Sequence, residues 1–269
     1  MNDLCLITGN HPRHQYFARR LISTGKVSSL IVQQREEFLP RPPDGLTRDL
    51  VRLFKHHFNE RERVENEVFR DEFDPIYAPD AVSVLDVNSE TLNGPETVRF
   101  LRRHQPSLII SYGCGKLSDI VIRNTTAKFW NMHGGLSPDY RGVATHFWPS
   151  YFLEPQMTGV TLHETTNFLD AGKVIFQTAA PMVSGDTLHG LAARNVKGFC
   201  DELAMKLAGL NFENLPSGVV QSGYGKVFMA KDWRPEHLHL IYSVYDDAVV
   251  DACLNGEIKG RSPDLVSTF

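Results

Sequence analysis

Leu4-Cys5-Leu6-Ile7-Thr8-Gly9-Asn10 opens the chain, and the segments after it repeat one rhythm. The apolar run closed by Gly9-Asn10 reads as a buried strand followed by a turn. Residues 11–23 read as a helix with Pro12 near its start, where a missing N–H costs nothing. Residues 27–33 read as a second strand. Residues 82–87 and 108–111 read as further strands, with a helix over 95–104 between them. Strand alternating with helix specifies an α/β fold with a doubly wound, mostly parallel sheet.

Two regions depart from that rhythm. Residues 36–75 form a helical insertion after the second strand. Within it, residues 46–70 place Leu50, Leu53, Phe54, His57, Phe58, Val64, Val68 and Phe69 at helical spacing among many charges. This predicts one long amphipathic helix, or two with a break, that either covers the sheet edge or serves substrate binding or a dimer contact. After a strong helix over 187–207 comes Pro216-Ser217-Gly218. The boundary this marks divides a catalytic domain, residues 1–210, from a small C-terminal extension, residues 211–269. The extension reads as a strand over 224–229 and a helix over 235–254. It is too short for a core of its own and is expected to pack on the main domain or on a second subunit, which makes a homodimer an open expectation.

The chain has 269 residues, 42% of them hydrophobic, and a formal charge of -4. That balance argues against sequence-independent nucleic-acid binding. No apolar run reaches the roughly 18 residues of a membrane span. The start, Met1-Asn2-Asp3-Leu4-Cys5, lacks a basic region of the secretory kind. Cys5, Cys114, Cys200 and Cys253 are far apart, without metal-site spacing. Reduced thiols, a cytoplasmic location and no metal are the expectations.

Asn131-Met132-His133 carries the chemistry. At i and i+2 on a strand, the Asn131 and His133 side chains share a face. They sit at the predicted end of that strand, where open α/β sheets place their ligand crevice. A lone Asn-x-His is a weak signal, and an ordinary structural pair is the competing reading. The constellation around it adds weight. Leu136-Ser137-Pro138-Asp139-Tyr140-Arg141-Gly142 follows, then Thr161-Leu162-His163, then Asp170-Ala171-Gly172 ahead of Val174-Ile175-Phe176-Gln177.

From residue 129 to 177 this sequence resembles the catalytic core of the formyltransferases that use 10-formyltetrahydrofolate. The resemblance spans roughly residues 80–205 and, loosely, the first strand. It implies a Rossmann-like formyltransferase fold and a catalytic triad of Asn131, His133 and Asp170. In formyl transfer an amine attacks the formyl carbonyl and negative charge grows on its oxygen. An amide and an imidazolium stabilise that charge, one donor contributing about 3–4 kcal/mol. A carboxylate is expected to keep the histidine protonated and to assist proton removal. His163 resembles the family's second histidine, which positions the aspartate or a water; a histidine satisfied inside a strand is the alternative. Thr166 is a further supporting candidate. After His133 the sequence has Gly134-Gly135, where many relatives have Pro or Phe and then Ser.

The resemblance places the folate against Tyr112, Gly113, Cys114, Gly115, Lys116 and Leu117, with Leu169, Ala171 and Gly172 as further candidates; an ordinary strand-to-helix turn is the alternative. Cys114 has no recognisable base beside it. Asn10, His11 and Arg13, after the first strand, are candidates for an acceptor phosphate. Gly134, Gly135, Arg141 and Gly142 are candidates for the rest of the acceptor, with Arg141 as its charge. His146 and Trp148 either line the same cleft or pack. A methionyl-tRNA acceptor fits the short, acidic tail poorly. Length and tail look most like the sugar N-formyltransferases, which modify nucleotide-linked amino sugars for surface polysaccharides such as O-antigen. A hydroxyornithine-type amine is the near alternative. A formyltetrahydrofolate hydrolase and a non-catalytic binding module are readings of another class.

Overall fold

The computed structural model describes residues 4–34, 39–70, 79–223 and 225–269. Strand β1 (Leu4–Gly9) is buried throughout, as its unbroken apolar run requires of a strand covered on both faces. Helix α1 (Pro12–Ile22) starts with proline and buries Phe17, Ala18 and Leu21. β2 (Val27–Gln33) returns parallel to β1. Helix α2 (Arg48–Phe69) is one unbroken helix whose first turn is capped by Thr47, which accepts the Leu50 N–H. Then follow β3 (Ser83–Val87), α3 (Pro95–His104), β4 (Leu108–Tyr112), the short α4 (Asp119–Arg123) and β5 (Lys128–His133). Next come β6 (Tyr140–Gly142), α5 (Trp148–Tyr151), β7 (Val160–Glu164), β8 (Val174–Thr178) and α6 (Leu188–Ala208). β9 (Lys226–Phe228) and α7 (Val249–Leu254) lie in the tail.

Seven strands form the main sheet in the order β3-β2-β1-β4-β5-β7-β8. The first five are parallel; β7 runs antiparallel to both β5 and β8, so β8 shares the direction of the first five. The winding reverses between β1 and β4, so a crevice opens at the carboxyl ends of those strands. The mostly parallel sheet predicted from the sequence is therefore present. What periodicity did not reveal is the antiparallel turn at β5, which sets Asn131 opposite His163 and His133 opposite Thr161. A larger apolar cluster packs α1 and α6 on one face of the sheet, and Leu101 and Val121 close the other face.

Three expectations are corrected. Helix α2 does not cover a sheet edge: it packs on α1 and α6, with Phe69 against Tyr16. Its flanks at residues 36–38 and 71–75 lie outside the described residues, as do Met1, Asn2, Asp3 and Tyr224. Residues 235–254 are not one helix. A tight turn at Pro235–His237 and a wide turn at His239–Val244 lead to Asp246 and Asp247, both at positive φ, before α7 begins. Tertiary bonds override the helical pattern there. Asp247 accepts the Leu188 N–H at 2.9 Å, and Asp251 accepts from Ser184 Oγ and from the Gly185 N–H. The tail strand is shorter than expected and pairs in parallel with β6.

The tail packs on the rest of the chain: Phe228, Leu238, Ile241 and Val249 share one apolar cluster with Phe54, Tyr140, Phe147, Trp148 and Leu188. Among the described residues no helix is long and apolar enough to cross a membrane.

The loop between β7 and β8 depends on a close backbone approach, since a Cβ on Gly172 would run into the Glu164 carbonyl. Gly172→Ala is expected to cost about 1–3 kcal/mol of stability, the usual range for overpacking. A lowered urea midpoint with an unchanged slope is the result to look for.

Candidate active site

A cavity of about 820 Å³ opens at the switch point of the sheet. Asn131 and His133, at the end of β5, face into it from one side of the strand. His163 joins them from β7, and Asp170 reaches them from the β7–β8 loop. Asp170 sits at φ +47, a left-handed conformation that carboxylate residues tolerate better than most. Its Oδ2 lies 3.4 Å from His133 Nδ1 and its Oδ1 3.4 Å from His163 Nε2. The Gly142 N–H donates to Oδ2 at 2.8 Å, and Gly142 at φ +96 gives the backbone the shape this needs.

Backbone carbonyls fix both imidazoles. His133 Nε2 lies 2.9 Å from the Tyr140 carbonyl oxygen, and His163 Nδ1 lies 2.8 Å from that of Glu164. A carbonyl only accepts, so those nitrogens carry protons, and the opposite nitrogen of each ring faces Asp170. Asn131 is oriented from its other side. Ser111, its partner in the register of β4 and β5, donates to Asn131 Oδ1 at 2.9 Å. The Asn131 Nδ2 donors are thereby turned towards the cleft and His163 Nε2, 3.4 Å away.

The electrostatics correct one expectation. Asp170 does raise the affinity of His133 for a proton, but burial outweighs it and pushes His133 below its ordinary value. Asp170 moves the other way. Burial would raise it, yet His163, His133 and the Gly142 amide together hold it below the usual carboxylate range. The pair at rest is an ionised carboxylate beside a neutral imidazole. With Nε2–H committed to Tyr140, His133 Nδ1 offers a lone pair, and Asp170 stands ready to stabilise the imidazolium that forms when a proton arrives.

Of the remaining sequence candidates, Tyr112, Gly113, Cys114, Gly115, Lys116, Leu117 and Leu169 line one end of the cavity. Ala171 and Gly172 do not. Gly172 lies against Glu164 of β7 instead. Thr166 lines the cavity but exchanges hydrogen bonds with Phe168 rather than with the triad candidates. Gly134 and Gly142 line it, whereas Gly135 lies under His133 with its carbonyl taken by Thr161. Arg141 is not an acceptor-facing charge: it turns away and donates to the Gly225 carbonyl. Asn10 is tied to Gln34 and lies outside the cavity, and His11 faces a separate small cleft. Arg13 lines the cavity with its guanidinium paired to Glu65 of α2. His146 lines it and Trp148 does not; Trp148 stacks on Phe228.

Sequence reasoning missed Ser111, whose signal was a lone hydroxyl in an apolar strand. It offered substrate binding as one role for α2 but missed His189 and Trp233, which complete the far end of the cavity. There His57, Phe58, Arg61 and Glu65 of α2 face His189 of α6 and Trp233 of the tail. Among the described residues no group of three or more His, Cys, Asp and Glu side chains could hold a metal ion.

Two pH effects follow. His133 is expected to titrate below 6.5, and Asp170→Asn to move it further down, because the carboxylate is the main influence raising it. Imidazole NMR measures both, and an upward move in Asp170→Asn contradicts the assignment. Burial likewise holds His57 down to about 3, His146 down to about 4 and His189 well below 6.5. Below pH 6.5 the unfolded chain binds protons that these rings refuse in the fold, so stability is full above that value and falls as the pH drops towards 4. Asp247, pushed up to about 6 by burial, acts in the opposite sense, one group against four. Melting curves across this range check the slope.

The family model for formyl transferase matches residues 56–198, more than half of the chain. Solved structures share the fold. A sugar N-formyltransferase from Shewanella sp FDAARGOS_354 is 16% identical with a TM-score of 0.56, the match covering 90% of this chain and 87% of that one. A phosphoribosylglycinamide formyltransferase from Anaplasma phagocytophilum is 19% identical with a TM-score of 0.54, covering 84% and 97%. An N-formyltransferase from Helicobacter canadensis, in complex with folinic acid and dTDP-3-aminofucose, is 16% identical with a TM-score of 0.51, covering 87% and 73%. At these identities the structures speak for the fold, while the family match speaks for the chemistry: this protein belongs to the formyl transferase family and is an enzyme that transfers formyl groups.

Proposed function

We propose that the protein transfers a formyl group from 10-formyltetrahydrofolate to the primary amine of a small acceptor, an amino sugar carried on a nucleotide. The observation that carries this reading is the meeting of Asn131, His133, His163 and Asp170 on one wall of a single cavity. In the transfer a C–N bond forms to the formyl carbon while its bond to the donor nitrogen breaks. The amine loses a proton and the donor nitrogen gains one. Asn131 Nδ2 is the hydrogen-bond donor for the formyl oxygen as charge grows there. His133 Nδ1 takes the amine's proton, and Asp170 stabilises the imidazolium. His163 and Ser111 are positioning residues for Asp170 and Asn131.

The cavity suits two substrates. About 820 Å³ is near the top of the range of roughly 300–1,000 Å³ common for ligand sites. One end suits a flat, partly apolar donor. The backbone of residues 112–117 forms one side, and Phe168 and Leu169 form the other, 78% and 45% exposed despite their apolar character. Lys116 Nζ bonds the Asn167 carbonyl and joins the two sides. The opposite end, with His57, Phe58, Arg61 and Trp233, is left for the acceptor. Its rings and its neutral, buried histidines suit a hydroxylated ring, since a neutral imidazole both donates and accepts. The likeness to an N-formyltransferase structure holding folinic acid and dTDP-3-aminofucose supports both halves of the reading. The formal charge of -4 favours a small acceptor over tRNA.

The test combines purified protein, 10-formyltetrahydrofolate and a panel of GDP-, dTDP- and UDP-linked amino sugars, read by mass spectrometry for formylated product. One sugar is expected to gain the formyl group. Asn131→Ala is expected to lower kcat about 100-fold or more, as removal of an oxyanion donor does. His133→Ala and Asp170→Ala are expected to abolish turnover with circular dichroism unchanged. Undiminished activity in all three variants would sink the mechanism. Formate release that ignores every acceptor would replace transfer with hydrolysis.

A further inference from the structure

Three separate contacts run from the segment after α6 to the loops that hold His133 and Asp170. Gln221 Nε2 donates to the Asp170 carbonyl at 2.8 Å and to the Gly172 carbonyl at 2.7 Å. One side-chain amide thus gathers both ends of a turn whose first residue has positive φ. β9 pairs with β6, setting Tyr140, Arg141 and Gly142 against Lys226, Val227 and Phe228. Tyr140 supplies the carbonyl that fixes His133, and Gly142 supplies the N–H that holds Asp170. Arg261, near the end of the chain, bonds Asp139 Oδ1 at 2.7 Å and Glu154 Oε2 at 3.1 Å. Glu154 in turn accepts the Tyr140 hydroxyl at 2.8 Å.

We infer that Gln221, β9 and Arg261 form a positioning brace for the reacting pair, with Gln221 holding the Asp170 turn and Arg261 holding Tyr140, and through its carbonyl the His133 ring. The physical case is one of number and geometry. Asp170 keeps a strained backbone conformation only if the surroundings over-determine it, and Gln221 supplies two bonds that do so. The His133 tautomer is set by what its other nitrogen meets, so whatever fixes the Tyr140 carbonyl fixes the tautomer. An isolated exposed ion pair stabilises little. Arg261 instead bridges two carboxylates, one of which is bonded to Tyr140, so its effect is directional. β9 and Gln221 act on the same two loops from a different stretch of chain.

The inference takes His133 and Asp170 as the working pair, as proposed above, but its test needs no substrate. Gln221→Met keeps the length of the side chain and removes the donor; Arg261→Met does the same for the guanidinium. Imidazole 15N NMR of the full chain then follows the His133 tautomer and titration midpoint, with circular dichroism as the check on folding. In each folded variant the Nδ1–H form of His133 is expected to appear beside the Nε2–H form. In Arg261→Met the midpoint is expected to move up towards 6.5 as the ring is hydrated, and in Gln221→Met to move further down as the Asp170 carboxylate shifts away from it. Arg261→Lys is expected to restore part of the wild-type signal. The two methionine variants act on different loops, so a folding failure in one leaves the other decisive. His133 signals superimposable on wild type in a folded variant overturn the brace. A failed acceptor screen with altered His133 signals leaves the brace standing and rejects only the acceptor.

Discussion

A single buried carboxylate, Asp170, organises the site. Its side chain is 9% exposed and meets His133, His163 and the Gly142 N–H. An isolated ionised carboxylate is costly to bury, and the Gly142 N–H donated to Oδ2 offsets part of that cost. The backbone does much of the holding. Tyr140 and Glu164 carbonyls turn each ring so that its second nitrogen faces the carboxylate. Around this centre the sheet supplies position. The switch from parallel to antiparallel at β5 places Asn131 beside His163, and the β4 neighbour Ser111 orients the Asn131 amide.

Burial also sets the chemistry. A histidine facing a carboxylate is ordinarily read as protonated, but at His133 desolvation is the larger effect. The proposed mechanism divides the labour accordingly, with the amide donating and the neutral imidazole accepting. The same physics governs the far end of the cavity, where His57 and His189 touch at 3.3 Å and burial keeps both neutral. Two charged rings at that separation would repel, so a neutral pair is what a close contact requires. That end is built from α2, α6 and the tail, which are remote from one another in sequence.

Much of the scaffold was legible in the chain because it rests on local rules. The unbroken apolar run of β1, Pro12 at the start of α1 and the apolar stripe of α2 each fix an element by composition and period. Asn131 and His133 were legible because a period of two places them on one face. Where local rules failed, longer-range bonds had won. Residues 235–254 have helical periodicity, yet Asp247, at positive φ, bonds the Leu188 N–H instead of continuing a helix. Arg141 stands in the motif loop, but its strand pairs with β9 and its side chain follows that pairing to Gly225.

The sequence by itself determined the α/β alternation, the motif residues and the resemblance to formyltransferases, because strand and helix periods and short motifs are properties of neighbouring residues. Tertiary structure alone decided which of those residues meet. It brought Asp170 to His133 across 37 positions of sequence, gave Ser111 and Gln221 their partners, and turned Asn10, His11 and Arg141 away from the cavity. It also decided the protonation of His133, since burial depends on everything packed around the ring and no local pattern encodes it.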